Sequence, residues 1–187
     1  MCMICDKQYD ENTVELYCFN CNIINELPEN LNNLLKLDIH NCRNIKTIPD
    51  TYINLEKLRC SYTKVTEIPS TLINLIFLDI NGCQIKNLSS KLDKLMYIYC
   101  MNTELEELPK EYKQLKRVIY KNSKIEELPE MFSDLIRNED IKNKQIYNTN
   151  EIRKPKQICD KSKVYFKYCK NCRDYYNTKK YISCNTC

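Results

Sequence analysis

The chain has one glycine, Gly82, one histidine, His40, and no tryptophan in 187 residues. Glycine-rich phosphate loops need several positions where the backbone turns tightly or approaches a ligand closely, so nucleotide-binding folds of that kind are excluded. A single histidine argues equally against multi-histidine metal sites and Ser-His-Asp or Cys-His catalysis. Cys42 lies two residues from His40, but alternation puts His40 outside while Cys42 holds the ladder position after the strand, so a catalytic pair is not expected. No apolar run approaches the roughly 20 residues of a membrane span. The N-terminal stretch "MCMICDKQYDENT" also lacks the apolar core of a signal peptide. The expectation is an intracellular, cytoplasmic protein with no membrane contact and no nucleotide cofactor. In such a reducing location paired cysteines more often mean metal than disulfide.

What is abundant is cysteine, 13 in all, within a chain whose 43% hydrophobic content suffices for a core. Charge is unevenly placed. Residues 136–187 carry 13 Lys and Arg against 5 Asp and Glu, leaving 16 against 20 for residues 1–135. The chain is thus a slightly acidic body with a basic tail.

Aligning the prolines brings out a period. Pro28, Pro49, Pro69, Pro109 and Pro129 are spaced by 21, 20, 40 and 20 residues, with Ser89 in the vacant slot. Around them runs a repeated text: "INELPENLNNL", "IKTIPDTYINL", "VTEIPSTLINL", "IKNLSSKLDKL", "LEELPKEYKQL", "IEELPEMFSDL". The other half of each repeat, "LYCFNCNI" in the first and "LDIHNCRNI" in the second, alternates apolar with variable residues as a short one-face-buried strand does. A small residue follows each strand: Cys21, Cys42, Thr63, Cys83, Thr103 or Ser123. Proline then favours an extended return over a long helix. Self-similarity at a fixed period signals a solenoid.

These six tandem copies, residues 14–135, resemble the leucine-rich-repeat family. The 20-residue length is similar to the short class of bacterial effectors, and the Cys-rich ladder to leucine-rich-repeat proteins of giant DNA viruses. The resemblance implies a leucine-rich-repeat solenoid: a curved parallel β-sheet on the concave side and an extended or 3-10 convex side, flanked by small zinc-binding ends.

Register places Tyr17 and Phe19, then Asp38 and His40, then Arg59, Ser61 and Tyr62 on the concave face. Phe77, Asp79 and Asn81 follow, then Tyr97, Tyr99 and Met101, then Arg117, Ile119 and Lys121. Aromatics rimmed by charge combine large area with low entropy cost, as a binding hot spot requires. The expected partner-binding set is Arg59, Phe77, Asp79, Tyr97, Tyr99, Arg117 and Ile119. The bland reading is that strand aromatics reflect β-propensity and cross-strand packing.

Two cysteine clusters flank the repeats. Cys169 and Cys172, then Cys184 and Cys187 after eleven residues, form two CxxC pairs of the kind that close a tetrahedral zinc site. They define a zinc-ribbon-like module over 165–187, joined by a polar linker over 136–164. At the other end Cys2 and Cys5, in an N-terminal cap over 1–13, are followed by Cys18 and Cys21 of the first repeat. Membership of the repeat explains Cys18 and Cys21 but not Cys2 and Cys5. A zinc ion shared by all four would pin the cap over the open end of the solenoid. Four thiolates leave no open coordination position, so one or two zinc ions would be structural and no enzymatic activity is expected. The rival for this end is an extracellular disulfide cap, which is not expected because such caps usually carry a CxC element and follow a signal peptide, and neither is read here.

The function expected is intracellular binding of a protein partner on the concave face. The alternative is nucleic-acid binding by the basic, tyrosine-rich C-terminal ribbon. A third reading, a ubiquitin-ligase-like substrate adaptor, is disfavoured because a RING cross-braces two ions with neighbouring ligands that usually include histidine, whereas the two four-cysteine groups here are far apart in sequence and contain none.

Overall fold

The computed structural model describes residues 2–135 and the strand Gln145–Tyr147. Six three-residue strands follow one another along the repeats: β1 Glu15–Tyr17, β2 Lys36–Asp38, β3 Lys57–Arg59, β4 Phe77–Asp79, β5 Tyr97–Tyr99 and β6 Arg117–Ile119. They pair in parallel in sequence order, each residue lying beside its counterpart in the next repeat. The middle residue of every strand, Leu16, Leu37, Leu58, Leu78, Ile98 and Val118, points inward and is buried. The period of the text is therefore the period of the sheet.

Backbone pairing runs past the strands. Ile39 N–H donates to Arg59 O and Ile80 N–H to Tyr99 O, so the next inward residues, Cys18, Ile39, Cys60, Ile80 and Cys100, are also laddered and buried. The chain then turns through a left-handed residue in every repeat: Asn20, Asn41, Tyr62, Gly82, Asn102 and Asn122 all have φ between 55° and 71°. Asparagine tolerates this region better than other residues with a side chain, which accounts for its recurrence in a chain nearly devoid of glycine. The Asn41 amide donates to Asn20 Oδ1 at 2.7 Å and that of Asn122 to Asn102 Oδ1 at 2.9 Å, linking neighbouring turns.

On the return side, bonds from Leu72 N–H to Pro69 O and from Leu75 N–H to Leu72 O form successive 3-10-type turns, repeated at Ser89–Leu92–Leu95 and Pro109–Tyr112–Leu115. In the last repeat they consolidate into a 3-10 helix over Glu130–Leu135. Tyr52 and Tyr112 stand where Leu31, Leu72, Leu92 and Phe132 stand in the other repeats, and both are fully buried. Each hydroxyl donates to a carbonyl of the preceding repeat, Tyr52 to Pro28 O and Tyr112 to Ser89 O. Burial pushes both phenols up from their ordinary range.

Both edges of the sheet carry an antiparallel neighbour. At the start, Cys2 bridges Cys18 in antiparallel sense and Met3 N–H donates to Tyr17 O. Met3, Ile4 and Tyr9 are partly buried against the core there. At the other end, β7 (Gln145–Tyr147) pairs antiparallel with β6. This strand lies inside the segment read from sequence as a linker; three residues are too few for periodicity to reveal. Open strand edges invite unwanted pairing, and both of these are covered.

Candidate functional site

Two features carry chemistry, and the first lies at the N-terminal edge. The CxxC of Cys2 and Cys5 forms a tight turn in which Cys5 N–H points at Cys2 Sγ, 3.4 Å away, and Lys7 N–H donates to Ile4 O. Lys7 takes a left-handed φ of 51° to complete it. The antiparallel bridge sets this turn against the first rung, where Cys18 is fully buried and Cys21 nearly so. All four Sγ atoms lie within 4.8 Å of one another.

Cys2 and Cys18 are joined as a disulfide, their Cα atoms 4.2 Å apart. Sequence spacing did not distinguish this pair; it follows from the antiparallel bridge. Cys5 and Cys21 remain thiols, 3.5 Å apart. Burial alone would raise the Cys21 pKa, but backbone N–H groups of Ile23 and Ile24 and the Cys5 thiol all stabilise its thiolate, and the net direction is down. Cys5, sharing its proton with Cys21, is pushed up.

Tetrahedral zinc with bonds of about 2.3 Å sets its sulfurs about 3.8 Å apart. The Cys5–Cys21 spacing is already close to that value. With the Cys2–Cys18 bond reduced, the donor set is four thiolates around a common centre, which fits zinc. Those residues would hold the ion, and the ion would fasten the cap to the rung.

The remaining described cysteines behave differently. Cys42 donates to Cys18 O at 2.6 Å and Cys83 to Cys60 O at 3.0 Å, both inside the solenoid. Burial pushes the Cys42 thiol to about 11 and raises that of Cys100 further. Cys83 is drawn down to about 7, chiefly by its bond with the Cys60 thiol, yet it has almost no exposed surface. These are rung residues that stack and bond within the repeats.

The second feature is the outer face of the sheet. Phe19 stacks on His40 at 5.1 Å, and His40 Nδ1 meets Asp38 Oδ1 at 2.6 Å. Asp38 Oδ2 lies 3.9 Å from Arg59, whose guanidinium sits 5.4 Å over Phe77. Phe77 packs on Tyr99 at 5.4 Å, and Arg117 lies 5.4 Å over the Tyr99 ring. A continuous line of side-chain contacts therefore runs from the first repeat to the sixth. Tyr97 lies between Phe77 and Arg117 in register, and Asp79 beside Tyr99. Burial raises the Asp79 carboxyl despite its bond from Asn81 N–H and the nearby Arg59.

Ile119 departs from expectation. It shares the outer register, but it is buried, on the strand that β7 joins. Ser61 and Asn81 are buried as well, and Asn81 Oδ1 accepts the Met101 N–H at 2.7 Å, a structural duty. Cys169, Cys172, Cys184, Cys187 and the basic residues around them lie outside the described residues. Among the described residues no helix is long and apolar enough to cross a membrane.

No protein-family model and no curated protein matches the chain. Solved structures do. A leucine-rich-repeat protein of Leptospira interrogans is similar over 64% of this chain and 33% of its own, at 24% identity and a TM-score of 0.54. The fold is the leucine-rich-repeat solenoid. The functional domain of InlJ from Listeria monocytogenes, which includes a cysteine ladder, is similar over 62% of this chain and 32% of its own, at 24% identity and a TM-score of 0.46. The chain thus spans about a third of the length of these two structures.

Proposed function

We propose that this protein is a non-enzymatic interaction module that holds a protein partner on the outer face of its sheet, the concave face in solenoids of this class. The observation that carries this reading is the contact line from Arg59 through Phe77 and Tyr99 to Arg117. Each guanidinium is held over a ring, which keeps its side chain ordered before binding and lowers the entropy cost of docking. Aromatic and arginine side chains are also those that most often dominate interface energetics. Asp79 and Tyr97 extend the patch to its neighbours in register. Structural zinc at the cysteine-rich ends, held by Cys2, Cys5, Cys18 and Cys21 and by Cys169, Cys172, Cys184 and Cys187, completes the proposal.

The test is affinity capture with Tyr97→Ala/Tyr99→Ala beside wild type and a control on the return side, Ile53→Ser/Ile73→Ser. Partners held by wild type and by the control should be lost from the tyrosine variant while its circular dichroism is unchanged. Equal capture by all three proteins would refute the placement.

A further inference from the structure

The four N-terminal sulfurs occupy an arrangement that serves two bonding states. Cys2 and Cys18 stand at disulfide-forming separation, with Cα atoms 4.2 Å apart across an antiparallel bridge. Cys5 and Cys21 lie 3.5 Å apart beside them. Each sulfur of the cap thus has one dedicated partner on the rung, while all four share one centre. Among these four, Cys5 is exposed and Cys21 and Cys18 are buried, so an oxidant meets Cys5 first.

Resting on the zinc reading of this cluster, we infer that it is a redox-labile zinc site: oxidation converts the tetrathiolate into two disulfides, Cys2–Cys18 and Cys5–Cys21, and releases the metal while the cap stays fastened. The oxidant is a hydroperoxide. The Cys5 thiolate attacks a peroxide oxygen; the S–O bond forms, the O–O bond breaks and hydroxide leaves. Cys21 then attacks the Cys5 sulfur and expels the second oxygen as hydroxide, closing one disulfide. A second peroxide oxidises Cys2 and Cys18 in the same way. The tetrathiolate zinc, two peroxides and four protons give two disulfides, four waters and free Zn²⁺, so charge and electrons balance.

The cap is consequently closed by metal when reduced and by covalent bonds when oxidised. Only the reduced, metal-free protein has it open. The inward-pointing cysteines stand apart from this chemistry, because Cys42, Cys60, Cys83 and Cys100 are buried in the solenoid.

The experiment uses the full chain carrying Cys169→Ser, Cys172→Ser, Cys184→Ser and Cys187→Ser, so that zinc reports the N-terminal cluster alone. Zinc is measured after purification under reducing conditions and again after titration with hydrogen peroxide, with peptide mapping of the disulfides. The inference expects one zinc per chain, fully released, together with both named disulfides and restoration of zinc binding by reductant. Zinc retained through oxidation of the sample would overturn the exchange and leave the metal reading standing. Release with other pairings, or with Cys5 and Cys21 still free thiols, overturns it too. A reduced protein that binds no zinc would sink the metal reading and the exchange together. Cys5→Ser checks the point of entry: the variant should lose the rapid phase of thiol oxidation, and unchanged kinetics would contradict the assigned order.

Discussion

Gly82 stands at the left-handed turn position that asparagine fills in four of the other rungs. A Cβ built there would lie 2.6 Å from Cδ1 of Tyr62, so the only glycine in the chain sits where the ring of the previous rung leaves no room for a side chain. Two consecutive departures from the repeat therefore compensate each other. Gly82→Asn should cost about 1–3 kcal/mol in urea unfolding through overpacking. Adding Tyr62→Asn should recover most of that by restoring the bonded asparagine turn seen between Asn20 and Asn41. Strictly additive losses would show that ring and glycine are independent. Tyr112→Phe removes the hydroxyl that reaches Ser89 O and should cost about 1 kcal/mol; a smaller effect than at exposed Tyr62 would contradict its role as a tie between rungs. Asp79 supplies a pH signature. Its carboxyl is raised in the folded state, chiefly by burial, so the folded protein binds the proton more tightly and loses stability as pH rises through that pKa. Asp79→Asn should melt higher than wild type at neutral pH, with the difference vanishing well below pH 4, near its ordinary value. Equal melting temperatures across that range would remove burial as the dominant cause.

At the scale of elements, the six rungs were legible in sequence because proline, leucine and the small ladder residue recur together, and each has a steric reason to recur. Cys18, Cys60 and Cys100 point inward because the strand pairing, and with it the alternation, continues past the three regular residues. What escaped notice was non-periodic. β7 sits in a polar segment without a repeat, and the buried hydroxyl ties of Tyr52 and Tyr112 depend on which carbonyl lies one rung away. For the candidate site, CxxC spacing pointed to four clustered sulfurs, but the cross-pairing of Cys2 with Cys18 needed the antiparallel bridge. Rungs of a solenoid couple to their neighbours, so opening one end should not melt the middle. A chelator added under reducing conditions should therefore raise amide exchange at Met3, Cys18 and Asn20 while leaving Ile80 and Gly82 protected. Uniform exchange across all six rungs would show that the cap is not a local closure.

Over the molecule as a whole, the described chain is a repeated unit with a special solution at each edge and an ordered aromatic and charged line across its outer face. The proposed zinc belongs to the N-terminal edge, and the proposed docking to the face. The central proposal concerns the N-terminal edge: Cys18 and Cys21 would be both rung residues and ligands, sharing one zinc with Cys2 and Cys5. Zinc K-edge X-ray absorption tests it most directly, on reduced full-length protein whose four C-terminal cysteines are replaced by serine. The account predicts one zinc per chain with four sulfur neighbours at about 2.3 Å and no lighter ligand. A protein that binds no zinc, or a shell containing nitrogen or oxygen, would contradict it.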